Sequence, residues 1–465
     1  MGGEDTNAIK LVALVYAIYV LYLHFNKHIA QWLLNISKQK GRQTPVLLKK
    51  IFKFIHSADT VNDFKVDKAD FTRQAPLSFP IVVSSILYLF KESVEFNLSK
   101  ILPQLGHKMV GTAAFSSARY KIKPAFFQAL NALVVKHIET LIPATWKGYQ
   151  LIAVDGSTVL VPPSAQIKKS FGIFAETVNG TKTCMAQALL CFDVLSNYVL
   201  ASKIGKMEVG EKSLLRMLLP EIKISNAIFI LDRGFGNFSI CKMLQEHKHK
   251  YCIRLSTQIS SFAKTVMKSA ESDFVTLWEP SEMERSNCKQ HGQDIKAIQV
   301  RVSKILLDTG ETELLVSNLF DAGAINATEM KQLYFMRWGI EEGIKKLKPK
   351  MKLEHFGCKK IEGIYQEFYA HIFMLNVVAI VGNEAQQSID VKVKERKHKY
   401  KYNWQNAYRY VRDKIVALVN NKNIYKIIHD LVKKIALSVV AIVPRRAFAR
   451  EKKSSNKSRL FQCYK

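Results

Sequence analysis

The chain has 465 residues, 48% of them hydrophobic and 23% charged, which is the composition of a folded protein of two or three domains and excludes a disordered chain. Its 69 Lys and Arg against 39 Asp and Glu give a formal charge of +30, which indicates a polyanionic partner, either nucleic acid or an anionic membrane surface. The seven cysteines are scattered and form no CxxC pair, which argues against zinc or a disulfide framework.

Residues 11–23 are the one candidate membrane segment. This apolar run is shorter than the roughly 20 residues that a helix needs to span a bilayer. The residues before it carry one lysine against two acids, and no small-residue cleavage site follows, so we do not expect a signal peptide. A buried or partner-packing helix is the preferred interpretation, and a membrane anchor is the alternative.

Residues 45–147 have the apolar periodicity of helices. Gly106 and Gly111 bracket a turn between two short helices, an arrangement that suits a helix-turn-helix-like DNA reader. Helical pairs of this kind also occur commonly without DNA, which is the alternative. The second helix of the pair carries three cations that could contact DNA: Arg119, Lys121 and Lys123.

The periodicity changes to that of strands at Leu151. The segment LIAVDGSTVLVP is rich in β-branched residues and holds Asp155 at its centre, and AIFILDRGF is an apolar strand that ends in Asp232. MAQALLCFDVL and NYVLASKIG predict two further strands between them. Three adjacent strands, followed by alternating helix and strand, predict an α/β fold of the ribonuclease-H-like type. For each aspartate, a simple turn is the alternative role.

Residues 257–326 are predicted to be a β-rich insertion, because the chain between Asp232 and Glu341 is longer than one strand and one helix require. FVTLW, IKAIQVRVSKILL and TELLVSNLF have the composition of strands. Trp278 lies in the first of these. We expect it to be structural, with an exposed ring that stacks on an extruded base as the alternative.

Residues 328–349 predict one amphipathic helix, with Thr328 as its N-cap and Pro349 as its end. Five apolar side chains share one arc and are expected to pack inward: Leu333, Met336, Ile340, Ile344 and Leu347. Four polar side chains fall along one border of that arc: Tyr334, Arg337, Glu341 and Lys348. Three neighbours are expected to face solvent: Glu342, Lys345 and Lys346. A solvated, salt-bridged helix face is the alternative to a functional site here.

The spacing Tyr334-x2-Arg337-x3-Glu341-x6-Lys348 resembles the signature of one branch of the DDE transposases of bacterial insertion sequences, the branch typified by insertion sequence four. Asp155 before Gly-Ser, and Asp232 in LDRGFG, resemble the first and second catalytic aspartates of that family. FSSARYKIKPAFF resembles its amino-terminal DNA-binding region. The resemblance implies a ribonuclease-H-like core with a β-rich insertion and helical regions at both ends.

Four regions follow from pattern and resemblance together. Residues 1–44 are an extension of unknown role, residues 45–148 a helical DNA-binding region, and residues 149–385 the catalytic domain with its insertion at about 257–326. Residues 386–465 are a basic helical region and tail, with 21 Lys or Arg against 5 Asp or Glu and with interleaved aromatic residues. For this last region, DNA contact and dimerisation both remain open.

The implied chemistry is cleavage of a phosphodiester bond with two divalent ions, for which three carboxylates and no cysteine cluster favour Mg²⁺, with Mn²⁺ as a substitute. Asp155 is assigned to both metals, Asp232 to one and Glu341 to the other. Arg337 and Lys348 are expected to bind phosphates near the cut, and the Tyr334 hydroxyl to donate a hydrogen bond there.

The predicted function is a cut-and-paste transposase. It would act as a homodimer on double-stranded DNA, at the terminal inverted repeats of its element and at target DNA, in the cytoplasm of a bacterium at the nucleoid. A metal-dependent nuclease or resolvase on the same fold is the first alternative, and a basic DNA-binding protein without chemistry is the second. A membrane-surface protein is the third and is not expected.

Overall fold

The computed structural model describes residues 43–443, except 89–91, 142, 177–179, 181, 308–309, 395 and 422–423. The predictions made for the apolar run 11–23 and for the basic tail beyond 443 lie outside the described residues. Helices come first in the described chain: α1 (Gln43–His56), α2 (Ala58–Phe64), α3 (Phe79–Leu87), α4 (Val94–Ile101), α5 (Thr112–Arg119) and α6 (Ala125–Ile138).

A nine-stranded sheet forms the centre of the fold. Its strands are β1 (Gln150–Val161), β2 (Ala175–Glu176), β3 (Lys182–Asp193), β4 (Tyr198–Lys206), β5 (Ala227–Leu231), β6 (Lys250–Leu255), β7 (Asp273–Trp278), β8 (Ile298–Leu306) and β9 (Thr312–Ser317). The strand order is β2-β3-β1-β5-β6-β9-β8-β7, with β4 paired to β3. Because β1 is antiparallel to β3 and parallel to β5, and β5 is parallel to β6, the first part of the sheet has the ribonuclease-H-like order. The predicted fold is confirmed.

Helices connect and cover these strands: α7 (Ala165–Phe171), α8 (Gly210–Leu218), α9 (Phe238–Glu246), α10 (Ser261–Met267), α11 (Glu282–Gln290), α12 (Ala327–Met336) and α13 (Gly339–Lys345). A π-helical turn, Lys346–Lys350, follows α13. Single 3-10 turns occur at Pro103–Leu105, Met207–Val209 and Leu219–Glu221.

The predicted insertion does contain strands, but they extend the central sheet. β9 pairs with β6 in antiparallel register, and β8 and β7 follow at its outer side, with α10 and α11 between the strands in sequence. Trp278 ends β7 fully buried, with its ring stacked on Phe262 at 4.4 Å between centroids. Its structural role is confirmed, and the alternative of an exposed ring for base stacking is wrong.

The longest helix, α14 (Ile361–Lys392), organises the rest of the core. It is the one helix of the described part that is long and apolar enough to cross a membrane, and 94% of its most apolar window is buried inside the protein. The amino-terminal helices α3 and α6 pack on it together with α15 (Trp404–Asn420) and α16 (Tyr425–Leu437). A small sheet of β10 (Lys399–Tyr402) and β11 (Val439–Ile442) completes this helical layer. The two predicted helical regions thus share one core.

The interleaved aromatic residues of the carboxyl-terminal region belong to that core. Tyr402, Trp404 and Tyr408 are 9%, 8% and 3% exposed, and the last two rings stack at 5.7 Å. Buried rings cannot stack on nucleic-acid bases without unfolding this layer. The positions of these three rings therefore reflect packing and not an aromatic DNA-binding face, whereas Tyr400 and Tyr410 are half-buried and DNA contact by this region stays a prediction.

Candidate active site

Asp155 and Asp232 stand next to each other on neighbouring strands. β1 and β5 are parallel, and their last paired residues are Val154 and Leu231. The next residue on each strand, Asp155 and Asp232, therefore lies beside the other just beyond this pair. Adjacent strands lie about 4.8 Å apart and residues in matching register point to the same face of a sheet. The sequence assigned these two acids to one site from their motifs, and the strand register brings them together.

The surroundings of Asp155 make its carboxylate costly to ionise. Burial raises the pKa of Asp155 to about 6, with further increases from the charges of Asp232 and Glu211, whereas the charge of Arg337 and a hydrogen bond from the Gly156 N–H oppose the shift. That N–H donates to Oδ1 of Asp155 at 2.9 Å. A half-buried carboxylate beside like charges is stabilised in its ionised form by a cation.

Glu341 reaches the sheet on a helix that is broken just before it. The helical run starts two residues earlier than predicted, because Asn326 and not Thr328 is the N-cap and forms a capping box with Glu329. α12 ends at Met336, and α13 restarts at Gly339. The predicted single helix is therefore wrong: the chain bends in front of Glu341, and Pro349 lies inside the π-helical turn.

Two glycines of α13 bring this short helix close to the sheet. A Cβ at Gly339 would lie 2.9 Å from Cβ of Val194, and one at Gly343 would lie 3.1 Å from the Phe192 ring. A larger residue at position 339 would force Val194 or α13 to shift, and one at position 343 would crowd the Phe192 ring of β3. Glu341 is half-buried on this helix, and in the described part of the chain it has no ion pair that would occupy its carboxylate.

Arg337 and Tyr334 lie inside the structure. Arg337 is 8% exposed, with its guanidinium 4.9 Å from the Trp338 ring and 5.8 Å from the Tyr334 ring. Its Nε is buried and has no hydrogen-bond acceptor among the described residues. Tyr334 is 6% exposed in a satellite core under the sheet, and burial raises its pKa to about 12. The charge of Arg337 acts on Asp155, and its buried Nε–H is an unsatisfied donor; phosphate binding by Arg337 stays a prediction.

Lys348 and Lys346 are held by neighbouring oxygens. The Lys348 ammonium donates to the Thr158 carbonyl at 2.7 Å and pairs with Glu354 at 3.1 Å. Lys346 was expected in solvent, and this is wrong: it is 7% exposed, it donates to Oδ1 of Asn197 at 2.5 Å, and burial lowers its pKa to about 8. The π-helical turn that begins at Lys346 departs from the regular helical spacing on which the expectation rested. The expectation for two other side chains is confirmed, because Glu342 and Lys345 form an exposed pair at 2.8 Å.

The matched family is the transposase DDE domain, which covers residues 146–377, about half of the chain. This segment includes the two strand aspartates and the helix with Glu341. The chain belongs to the DDE transposases.

Two known proteins are similar to this chain at low identity. The chain is 23% identical over 239 residues to transposase InsG for insertion sequence element IS4 of Escherichia coli (strain K12). The match covers 50% of this chain and 52% of the relative, so the chain spans about half the length of that relative. A cryo-EM structure of the piggyBac transposase synaptic complex with hairpin DNA aligns over 89% of this chain and 88% of that one, with a TM-score of 0.44 and 11% identity.

The three amino-terminal cations assigned to DNA lie outside the matched DDE domain. Arg119 is 3% exposed and forms a buried ion pair with Glu367 at 3.0 Å inside the helical layer. Its guanidinium is therefore not accessible to DNA, and the assignment of Arg119 to DNA is wrong. Lys121 is exposed and pairs with Asp70 at 3.2 Å, and exposed Lys123 donates to the Asp63 carbonyl at 3.0 Å. DNA contact by these two lysines remains a prediction.

Sequence reasoning missed one acid beside the two aspartates. Glu211 is in the first turn of α8, and Nε2 of the buried Gln187 donates to its Oε1 at 2.9 Å. Burial raises the pKa of Glu211, and so does the charge of Asp232. No motif marks this glutamate, and only the packing of α8 against the sheet places it beside the two aspartates.

The DDE family implies a divalent metal ion, and the donor set of this site fits one. Carboxylate oxygens are the preferred ligands of hard cations, and the mutual repulsion of Asp155 and Asp232 is relieved by positive charge between them. Asp155 and Asp232 would hold the ion, with Glu341 on the adjoining helix. Within the described residues, no group of three or more acids, histidines or cysteines is already arranged as a metal-binding set.

Proposed function

We propose that this chain is a cut-and-paste transposase, which cleaves the DNA at the ends of its element and joins the freed 3′ hydroxyl to target DNA. The observation that carries the proposal is the pairing of Val154 with Leu231, which sets Asp155 beside Asp232 in a matched DDE domain. The formal charge of +30 supports double-stranded DNA as the partner. The terminal inverted repeats and the target site are the proposed substrates.

The proposed ions are two Mg²⁺, with Mn²⁺ able to replace them. Bound at the acids, they would supply a nucleophilic oxygen and stabilise the charge of the leaving oxygen. The protein's own groups complete the site. Asp155 and Asp232 hold negative charge on the sheet, and Glu341 brings a third carboxylate on α13. Arg337 offers its unsatisfied Nε–H to a phosphate oxygen.

A homodimer that holds two element ends, located at the nucleoid in the cytoplasm of a bacterium, completes the proposal. Both element ends must be held together before they are joined to one target, and two copies of the chain provide two such sites. The second candidate function is a metal-dependent nuclease on the same fold, and the site chemistry of the two is the same up to the first cleavage.

The deciding experiment uses the purified protein, Mg²⁺, a labelled duplex that carries the sequence flanking the gene, and a target plasmid. A transposase should nick the element end and covalently join the label to the plasmid. Asp155→Asn, which keeps the size of the side chain, should give neither product. Cleavage without joining would replace the proposal with the nuclease, and DNA binding without any cleavage by the wild type would reject both.

A further inference from the structure

The carboxyl group of Glu211 occupies the position that a side chain at Gly156 would take on the strand that bears Asp155. A Cβ at Gly156, the residue after Asp155, would overlap the carboxyl group of Glu211. The φ angle of Gly156 is not in the left-handed region, so its backbone would accept other residues. Any side chain at this position would therefore have to displace the carboxyl group of Glu211, which lies against the glycine backbone.

The Glu211 side chain is held in this place from both sides. Its Oε1 accepts the hydrogen bond from Gln187, which is 5% exposed on β3 and so has a fixed position in the sheet. Its backbone starts α8, a nine-residue helix whose Leu214, Leu215 and Leu218 are buried. A carboxylate that merely faced solvent would need neither a buried amide partner nor a glycine opposite.

Charge also surrounds Glu211 in a specific way. Its carboxylate interacts electrostatically with Asp155 and Asp232, and the neighbouring Lys212 interacts with both Glu211 and Asp232. Lys212 forms no ion pair with Glu211 within the described part of the chain. The three carboxylates therefore bear a net negative charge that one nearby lysine and Arg337 balance only in part.

We propose that Glu211 is a fourth acid of the active site, whose charge strengthens the binding of a divalent ion at Asp155 and Asp232, and that Gly156 provides the space it needs. Glu211 acts here as a positioning residue through the two aspartates. This inference rests on the proposed function, because it assumes that the aspartates hold the ion.

The test measures Mn²⁺ binding to the DNA-free protein by electron paramagnetic resonance, with thermal unfolding of the metal-free protein in parallel. Glu211→Gln keeps the shape and the hydrogen bond to Gln187 but removes the charge, so it should weaken Mn²⁺ binding by about 10- to 100-fold. The metal-free variant should unfold at the same or a higher temperature, because like-charge repulsion is removed. Glu208→Gln, an exposed acid one turn earlier, is the matched control and should leave both unchanged.

Gly156→Ala supplies an independent arm. The added methyl group should displace the Glu211 carboxylate and weaken Mn²⁺ binding to the level of Glu211→Ala. The double variant Gly156→Ala with Glu211→Ala should be no weaker than Glu211→Ala alone, because the displaced group is already gone. Additive losses would show that Gly156 acts independently of Glu211 and would overturn that part of the inference.

Asp155→Asn and Asp232→Asn distinguish failure of this inference from failure of the proposed function. If both abolish Mn²⁺ binding while Glu211→Gln binds like the wild type, this inference is wrong and the proposed function stands. If neither changes Mn²⁺ binding, the aspartates do not hold the ion and the proposed function falls with it. A lower unfolding temperature of metal-free Glu211→Gln with unchanged Mn²⁺ affinity would show a purely structural role.

Discussion

Lys348 and Glu354 form an ion pair at 3.1 Å along the free edge of β1. β5 pairs with β1 only as far as Val154, so the later backbone groups of β1 on that side need other partners. Lys348 donates to the carbonyl of Thr158 at 2.7 Å, and Glu354 accepts from the N–H of Leu160 at 3.0 Å. The pair thus fastens the segment after α13 to the strand that bears Asp155.

This geometry gives Lys348 a structural role at β1, and mutations can distinguish this role from phosphate binding. Lys348→Met and Glu354→Met should each lower the free energy of unfolding by about 1 kcal/mol and slow cleavage, because each leaves one backbone group of β1 without its partner. The two changes together should cost less than the sum of the single losses. Thermal unfolding and single-turnover cleavage measure both effects. Loss of cleavage in Lys348→Met alone would instead favour a direct phosphate contact.

The three acids should be required for chemistry and not for DNA binding. Asp155→Asn, Asp232→Asn and Glu341→Gln should each abolish Mg²⁺-dependent end cleavage, while affinity for the end, carried by distributed positive charge, stays nearly the same. Cleavage and gel-shift assays on the same preparations test this. Glu342→Gln is the matched control, since that neighbour is exposed and paired with Lys345. An inactive Glu342 variant beside an active Glu341 variant would contradict the assignment on α13.

The raised pKa of Asp155 predicts a stability that falls as pH rises. Its pKa is about 6 in the folded protein against an ordinary value of 3.8, so between these limits the folded state binds more protons than the unfolded state. Metal-free wild type should lose stability through this window. Asp155→Asn should therefore be more stable than the wild type at pH 7, by on the order of 1 to 3 kcal/mol, and show no gain near pH 3.

Denaturant unfolding between pH 3 and 8 measures this difference. Mg²⁺ should restore stability to the wild type at pH 7 and leave Asp155→Asn unchanged, because the cation favours the ionised carboxylate. A wild-type stability that rises across the window would show that Asp155 is not held in the environment described here.

The sequence predicts the fold best where the composition of a segment favours one kind of secondary structure. The apolar strand before Asp232 and the β-branched strand around Asp155 predict a sheet by composition alone, and both strands form. The third acid, Glu341, is implied by the family resemblance that the spacing from Tyr334 to Lys348 carries, and it stays a prediction. The five apolar side chains predicted to pack inward from that segment are all buried or half-buried. The order of strands in the core follows from the same patterns.

Other features depended on packing that no local pattern records. Arg119 lies in a basic stretch that predicts DNA contact, yet Gln366 and Glu367 on a distant helix bury it. The break between Met336 and Gly339 lies where Gly339 closely approaches Val194, a tertiary contact that only the folded chain defines. Glu211 reaches the acids through tertiary packing for the same reason.

Arg119 should therefore behave as a structural residue. Arg119→Met would leave the Glu367 carboxylate without its ion pair, and removing one partner of such a buried pair costs about 3 to 5 kcal/mol. Lys121→Met, whose pair with Asp70 is exposed, should cost less than about 1 kcal/mol. Chemical denaturation compares the two. Equal stability of both variants, with weaker DNA binding by Arg119→Met, would restore the original DNA assignment.

Arg337 should serve the site in two separable ways, by its charge and by its planar fork. Its charge lowers the pKa of Asp155, so Arg337→Met should move the acidic limb of the pH–cleavage profile to higher pH and also slow cleavage at the plateau. Arg337→Lys keeps the charge but not the fork, so it should slow the plateau and leave the acidic limb in place. Tyr334→Phe should raise the activation free energy of cleavage by only about 1 kcal/mol, since it removes one neutral hydroxyl. Single-turnover cleavage of a pre-nicked end from pH 5 to 9 separates these effects. An unshifted acidic limb in Arg337→Met would show that its charge does not act on Asp155, and a fully active Arg337→Lys would show that the fork does not bind phosphate.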